Sequence, residues 1–169
     1  ILARRCPSWS QPLGRTTTSP TLTEDFRDAL AALLKAEARF LVVGAHALAV
    51  HGAPRATLDL DVWVEPTKEN ARRVWHALAQ FGAPLDALNI RESSFVLPDM
   101  VTQIGLPPRR IDLLTGVSGL EFKEAWKDRL EVAIDGLSLP FIGRDSLIRN
   151  KRASGRQKDL GDLEMLGVV

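Results

Sequence analysis

Two aspartates stand two residues apart in the alternating segment TLDLDVWV, residues 57–64. Successive side chains of a β-strand point to opposite faces, so a strand here places Thr57, Asp59, Asp61 and Trp63 on one face. Neighbouring carboxylates repel each other unless a cation neutralises them, and carboxylate oxygens are preferred ligands of Mg²⁺. The pair therefore predicts a magnesium site. The other interpretation is an exposed strand whose acids meet water.

Three further segments could complete such a site. Gly44 and Ala45 follow an apolar run and open a predicted short helix, where backbone N–H groups suit phosphate oxygens. Asp112, in a later predicted strand, could supply a third carboxylate and allow two Mg²⁺ ions to be held. Basic residues could neutralise a triphosphate, and four cluster near the C-terminal end: Lys151, Arg152, Arg156 and Lys158. The alternative for each of the four is a solvated helix end.

Residues beside the aspartates have two interpretations each. Arg55 and Thr57 could orient a triphosphate, although Thr57 is also a good strand residue. Trp63 could stack on a base or pack in the core.

Two other sets of side chains also have competing interpretations. Asp112 follows Arg109 and Arg110 and could instead form a surface ion pair with one of them. His46 and His51 are five residues apart, whereas a helical metal pair has a spacing of four. We therefore expect both histidines to be core or surface residues.

The composition is that of an ordinary globular domain. The chain has 169 residues, of which 45% are hydrophobic and 25% charged, enough for one domain with or without a small helical appendage. Its 22 basic and 21 acidic residues nearly cancel, so the whole chain lacks the charge of a nucleic-acid binder. A single cysteine, Cys6, excludes an internal disulfide, and the apolar runs are too short to span a membrane. We expect a soluble cytoplasmic protein with no membrane partner.

Hydrophobic periodicity and turn signals predict alternating helices and strands. The predicted helices are residues 24–38, 45–50, 68–81, 146–152 and 158–166, with Thr23 and Asp145 as caps, and residues 118–126 are predicted to form a turn plus a short helix. The predicted strands are residues 40–43, 57–64, 100–106, 110–114, 130–134 and 137–140, the last two joined by Asp135-Gly136. Residues 83–98 have an ambiguous pattern. These elements predict an α/β (α+β) fold: a small mixed twisted sheet with packed helices and a short C-terminal helical part.

The chain divides into three predicted parts. Residues 1–22 form a disordered leader, residues 23–143 an α/β core, and residues 144–169 a helical segment packed on that core. The leader contains three arginines and no acid before Glu24, a composition also found in organellar transit peptides. Because it has no amphipathic pattern, a disordered leader is the better interpretation.

The order of these motifs resembles the polymerase-beta-type nucleotidyltransferase superfamily. Its signature is a hydrophobic strand, Gly followed by Gly or Ser, a spacer, Asp-hydrophobic-Asp-hydrophobic, and a third Asp on a later strand. Here these motifs are LVVGA (41–45), DLDV (59–62) and RIDLL (110–114). The resemblance implies a nucleotidyltransferase-like fold for the core.

Three other segments carry a closer resemblance, to small bacterial stand-alone enzymes related to abortive-infection nucleotidyltransferase toxins. They are RAT (55–57), SGLEF with the following AW (118–126), and NKRASGRQKDLGDL (150–163). This resemblance covers residues 40–166. It implies a toxin of a toxin–antitoxin pair, with an antitoxin partner, or a phage-defence toxin.

The resemblance implies transfer of a nucleoside monophosphate from an NTP, such as ATP or GTP, to an acceptor hydroxyl, with release of pyrophosphate. The implied catalytic residues and ligands of two Mg²⁺ (or Mn²⁺) ions are Asp59, Asp61 and Asp112, and Asp112 is also the candidate base. The implied nucleotide-binding residues are Gly44, Ala45, Arg55, Thr57, Lys151, Arg156 and Lys158. The acceptor would be a tRNA, a protein or a small molecule.

Ala45 departs from the superfamily pattern, which often has Ser or Gly there. Ala45 keeps the backbone N–H but lacks a hydroxyl that could contact a phosphate. The expected consequence is either weaker NTP binding or loss of triphosphate use. The alternative function is a non-catalytic nucleotide- or partner-binding module with the same fold.

Overall fold

A computed structural model gives the structure of residues 22–168, so Cys6 and nearly all of the predicted leader lie outside the described residues. The helices are α1 (Glu24–Lys35), α2 (Gly44–Val50), α3 (Lys68–Phe81), α4 (Phe122–Lys127), α5 (Arg144–Ser154) and α6 (Gln157–Met165). The strands are β1 (Phe40–Val43), β2 (Asp59–Val64), β3 (Val101–Ile104), β4 (Arg110–Leu114), β5 (Leu130–Ile134) and β6 (Leu137–Phe141).

All six strands belong to one mixed sheet, in the order β3-β4-β2-β1-β6-β5. β2 pairs antiparallel with β1 and parallel with β4, and β1 pairs parallel with β6. The edge strands β3 and β5 pair antiparallel with their neighbours. The strands that carry the predicted site motifs, β1, β2 and β4, are therefore adjacent in the middle of the sheet.

Burial explains why β1 lies at the centre. All four of its residues are buried, as expected for a strand that is covered on both faces and apolar along its length. α1 packs against α3, and each contributes buried leucines: Leu30 and Leu33 from α1, Leu78 from α3. The central strands are thus packed into the core. The polar side chains of β2 and β4 are not part of this apolar packing.

The predicted fold class is confirmed. α3 and β4 have the predicted bounds, and the predicted hairpin joins β5 and β6. Its turn residues, Asp135 and Gly136, have φ values of 50° and 79°, the left-handed conformation that a two-residue hairpin turn of type I′ requires. In the ambiguous segment 83–98 a 3₁₀ turn, Glu92–Phe95, places Phe95 in the core.

The predicted end of α1 is wrong. The helix ends at Lys35 rather than near Ala38. Glu37 has a left-handed φ of 56°, and the Ala38 N–H donates to the carbonyl of Leu33. This hydrogen bond belongs to a common helix-terminating motif, which stops the helix although the apolar pattern continues.

Two other predicted boundaries are also corrected. β2 begins at Asp59 rather than at Thr57, which lies in the preceding segment. Asp145 is in the first turn of α5 and is not its cap, because Gly143 holds that position. An acid in the first turn still interacts favourably with the positive end of the helix dipole. None of the helices within residues 22–168 is long and apolar enough to cross a membrane.

Candidate active site

Four charged side chains form a patch on one face of β2 and β4. The register pairs Asp59 with Arg110, and Asp61 with Asp112. Alternate residues of a strand share a face, and register partners on a neighbouring strand lie beside them. We call these four residues the charged patch. They line one cleft of about 1600 Å³, so the three predicted aspartates are brought together on the wall of a single cleft.

Gly44 brings the backbone of the β1–α2 turn against this patch. Val43, the residue before it, is the register partner of Asp61. Gly44 has a φ of 65°, and a Cβ at this position would overlap Oδ2 of Asp61. Only glycine can make this turn without strain and approach the carboxylate this closely. Ala45 follows, buried at 3% exposure on the wall of the same cleft.

The electrostatics of the patch centre on Asp61. Burial raises the pKa of the Asp61 carboxyl above its ordinary value, and the neighbouring Asp112 and Asp59 carboxylates raise it further. Lys158 and Lys151 act in the opposite direction and lower this pKa. A partly desolvated carboxylate beside two others is a position where a cation is stabilising.

Arg110 supplies a cation between two of the aspartates. Its Nη2 donates to Asp59 Oδ2 at 2.7 Å, and its Nε donates to Asp112 Oδ1 at 2.9 Å. Nη2 also lies 3.3 Å from the second oxygen of Asp112. Asp112 therefore does pair with an arginine. Because Asp112 is only 7% exposed, this is not the surface ion pair considered from the sequence.

The atoms of the charged patch that could bind a metal ion suit a hard divalent cation. All are carboxylate oxygens, which Mg²⁺ and Mn²⁺ prefer. Oδ1 of Asp59 is buried and accepts no hydrogen bond from residues 22–168, and a buried oxygen without a partner costs free energy that a ligand can recover. Within the described part of the chain, no three acidic, histidine or cysteine side chains are grouped closely enough to hold an ion as they stand. A metal ion between Asp59 and Asp112 would have to displace the Arg110 guanidinium.

A second group of charges, of which Arg55 and Lys151 line the same cleft, joins α5 and α6 to the segment before β2. Lys151 is buried, and its Nζ lies 2.8 Å from Asp159 Oδ1 and 2.8 Å from Asp162 Oδ2. Arg55 donates from Nε to Asp162 Oδ1 at 2.9 Å. We call Arg55, Lys151, Asp159 and Asp162 the ion cluster. Since Lys151 is enclosed by carboxylates, its predicted role in direct phosphate contact stays a prediction, and its observed contacts are structural.

Asp159 is the most enclosed acid of the ion cluster. It is fully buried and accepts hydrogen bonds from Lys151, Ser154 and Arg156, each at 2.8 Å. Burial alone would raise the pKa of the Asp159 carboxyl, but these three hydrogen bonds outweigh burial and hold the pKa well below its ordinary value. Asp159 therefore remains ionised at neutral pH and holds α5 and α6 together.

The other predicted nucleotide-binding residues differ in the contacts that their side chains already make. Arg156 is bound to Asp159 through Nε, although its side chain is 65% exposed. Lys158 is exposed and forms no ion pair with any of residues 22–168, yet it lies close enough to Asp61 to lower the pKa of that carboxyl. The Thr57 hydroxyl donates to the Asp59 carbonyl at 3.0 Å and accepts from the Asp59 N–H at 3.2 Å. Thr57 therefore shapes the start of β2, as short polar side chains often do beside regular elements.

No protein-family model matches the chain, and no curated protein matches its sequence. Among solved structures, the chain is similar to a Thermotoga maritima protein provisionally assigned as a nucleotidyltransferase, with a TM-score of 0.57 and 14% sequence identity. The similarity covers 82% of this chain and 88% of that one. The fold is nucleotidyltransferase-like. At this identity the two proteins share a fold, and the closer relation to abortive-infection toxins stays a prediction.

In the nucleotidyltransferase-like fold the histidines and Trp63 have structural positions. His46 packs edge-on against an aromatic ring of α1 at 5.8 Å between centroids, and burial lowers the pKa of its imidazole. His51 Nε2 lies 2.7 Å from the Ile142 carbonyl oxygen. Trp63 is 1% exposed and packs edge-on against Phe122. Of the two interpretations of Trp63, core packing is the one observed.

Sequence reasoning missed three residues of the site. Arg110 was considered only as an alternative partner of Asp112, although its position two residues before Asp112 puts both on one face of β4. Asp159 and Asp162 were not singled out. Their three-residue spacing places them on one side of a helix, and this spacing within a basic segment is the signal that could have identified them.

Proposed function

We propose that this protein is a metal-dependent nucleotidyltransferase that transfers a nucleoside monophosphate from an NTP to an acceptor hydroxyl. The observation that carries the proposal is the register of β2 and β4, which sets Asp61 opposite Asp112, with Asp59 two residues from Asp61 on the same face. The glycine turn at Gly44 meets the same carboxylates. The nucleotidyltransferase-like fold supports transfer of a nucleotidyl group in general.

Each part of the cleft has a separate role in this reaction. Asp59, Asp61 and Asp112 would hold two Mg²⁺ or Mn²⁺ ions, which would polarise the α-phosphate and stabilise the charge on pyrophosphate. The backbone of Gly44 and Ala45 lies beside the phosphates. Cationic groups on the wall of the cleft, Arg55, Arg156 and Lys158, neutralise the triphosphate, as charged donors do for phosphate oxygens.

The proposed step is an in-line displacement at the α-phosphorus. The acceptor oxygen forms a bond to this phosphorus while the bond to the bridging oxygen of pyrophosphate breaks. Asp112 takes the proton of the acceptor hydroxyl, the role of a general base within hydrogen-bond reach of the nucleophile. Pyrophosphate leaves with the bonding electron pair.

Isothermal titration of Mg²⁺ together with each of the four NTPs tests the binding part. We expect wild type to bind at least one NTP, and Asp61→Asn to lower that affinity by roughly 100-fold, the scale of losses at metal sites. Asp99→Asn is the matched control, because Asp99 lines the same cleft but is exposed and lies outside the charged patch. Equal affinity in wild type and Asp61→Asn would contradict the proposal.

The non-catalytic alternative rests on Ala45, which lacks the hydroxyl of the superfamily pattern. This alternative predicts that wild type binds an NTP but releases no pyrophosphate. The binding should still be lost in Asp61→Asn. A coupled pyrophosphate assay with purified protein and total cellular RNA, protein and small hydroxylated compounds separates the two functions. Pyrophosphate release by wild type, and none by Asp61→Asn, supports the transferase.

The acceptor and the physiological role are also proposed. A labelled NTP shows whether label enters RNA, protein or small molecules. The resemblance of residues 40–166 to toxins supports a cytoplasmic toxin whose activity an antitoxin restrains. Expression of wild type beside Asp61→Asn tests this role, since a toxin arrests growth only when its cleft is intact.

A further inference from the structure

Arg110 joins the two strands of the charged patch through their carboxylates. The guanidinium bonds Asp59 through Nη2 and Asp112 through both Nε and Nη2. Arginine in such a fork geometry forms strong, directional ion pairs. The Arg110 side chain is 28% exposed and the side chain of Asp112, taken without its backbone, is 11% exposed, so water screens these pairs less than at an open surface.

This contact follows from the register and does not depend on a flexible surface side chain. Arg110 lies opposite Asp59 on the neighbouring strand and on the same face as Asp112, two residues along its own strand. A positive side chain at this position lowers the repulsion among three carboxylates. The patch is therefore assembled with its own cation in place.

We propose that Arg110 is a displaceable internal cation, which leaves Asp59 and Asp112 when metal ions bind and moves to the phosphates of the NTP. This inference rests on the proposed function. Asp59 and Asp112 cannot give the same oxygens to Arg110 and to a metal ion, and the guanidinium repels a divalent cation nearby. An NTP brings negative charge into the cleft and offers the displaced guanidinium a new partner.

The consequence is that metal and nucleotide bind cooperatively. Metal alone must break three contacts of Arg110 and leave a cation without a partner beside it. With an NTP present, the phosphates satisfy Arg110. Arg110 is thus a positioning residue, which keeps the patch assembled without metal and favours metal binding only when a nucleotide accompanies it.

The test measures Mg²⁺ affinity calorimetrically, with and without a non-hydrolysable NTP, in wild type and in Arg110→Gln. We expect Mg²⁺ alone to bind Arg110→Gln roughly tenfold more tightly than wild type, an ordinary magnitude for coupling between two sites. The NTP should increase Mg²⁺ affinity in wild type and much less in Arg110→Gln. The matched control is Arg109→Gln, because Arg109 is the neighbouring residue, is exposed, and pairs with half-buried Asp25 at 3.3 Å. It should behave as wild type.

A second measurement needs no neutral variant, in case Arg110→Gln does not fold. The Nε–H signal of Arg110 is absent from proton–nitrogen spectra of Arg110→Lys, and its absence identifies this signal in the wild-type spectrum. We expect the signal to shift when Mg²⁺ and the NTP are added together. Equal Mg²⁺ affinity in wild type and Arg110→Gln, or an unmoved Nε–H signal at saturation, would overturn the inference. Absence of Mg²⁺ binding with and without NTP would overturn the proposed function itself.

Discussion

Gly44 approaches Asp61 so closely that a Cβ on the glycine would overlap the carboxylate. Gly44 directly follows β1, is the first residue of α2, and has a left-handed φ of 65°. Asp61 belongs to the charged patch. Local backbone geometry and the proposed chemistry therefore depend on the same pair.

We expect Gly44→Ala to impair both stability and ligand binding. The left-handed backbone alone costs an alanine about 1–2 kcal/mol in the free energy of unfolding, and the added Cβ pushes the Asp61 carboxylate from its position. Urea denaturation measures the first effect, and titration with Mg²⁺ and NTP measures the second.

Gly52→Ala separates these two effects. Gly52 also has a left-handed φ, 88°, but a Cβ there would meet nothing within 4 Å. Its alanine variant should show a similar loss of stability with normal NTP binding. Loss of binding in both variants would mean that backbone strain, and not the overlap with Asp61, explains the Gly44→Ala phenotype.

Lys151→Met should be strongly destabilising. The substitution leaves Asp159 and the Asp162 carboxylate buried without their shared ammonium partner, and breaking a buried ion pair in this way costs about 3–5 kcal/mol. Chemical denaturation of Lys151→Met gives the value. Arg152→Met is the control, because Arg152 is the next residue and is exposed; its free energy of unfolding should change by less than about 0.5 kcal/mol.

Stability should depend on pH through Asp159. Its pKa in the folded protein is lower than its ordinary value of 3.8, so the folded state binds this proton less readily than the unfolded state. The stabilisation is therefore complete above about pH 4 and is lost as pH falls through the folded-state pKa. Denaturation of wild type and Asp159→Asn across this range should give free energies of unfolding that converge on acidification. A constant difference would contradict this assignment.

Asp162→Asn should weaken NTP binding indirectly. Asp162 holds Nε of Arg55 at 2.9 Å and leaves the two terminal nitrogens of this guanidinium for other partners. We expect affinity for NTP to fall roughly tenfold, about 1.4 kcal/mol. A double-mutant cycle with Arg55→Ala checks the cause: if Asp162 acts through Arg55, the two losses are not additive. Additive losses would mean that the two residues act separately.

The parts of the fold that were predictable are those with a strong local period. β2 and β4 carry alternating or continuous apolar residues, and α3 has a helical apolar stripe ended by Gly82, so their positions follow from nearby residues. The strand period of two placed Asp59 and Asp61 on one face, whereas the expectation that Asp112 joins them came from the resemblance to the superfamily.

Long-range pairings could not be obtained from local patterns. Arg55 meets Asp162 across 107 positions, and no local period encodes that distance. Which carboxylate Arg110 selects depends on the register between β2 and β4, which a single strand does not reveal. Thr57 fitted a strand by propensity, but its hydroxyl bonds the Asp59 backbone instead, a case of side-chain chemistry overriding the alternating pattern.

Because Arg55 and Asp162 are 107 positions apart, the nascent chain acquires the charged patch and the ion cluster at different times. The charged patch is complete in sequence once residue 114 has been synthesised, whereas the carboxylates that hold Arg55 and Lys151 belong to α6. A ribosome-bound chain thus has all four residues of the charged patch, and Arg55, before it has the carboxylates that hold Arg55 and Lys151. The contacts that fix Arg55 and Lys151 are acquired last, when α6 emerges.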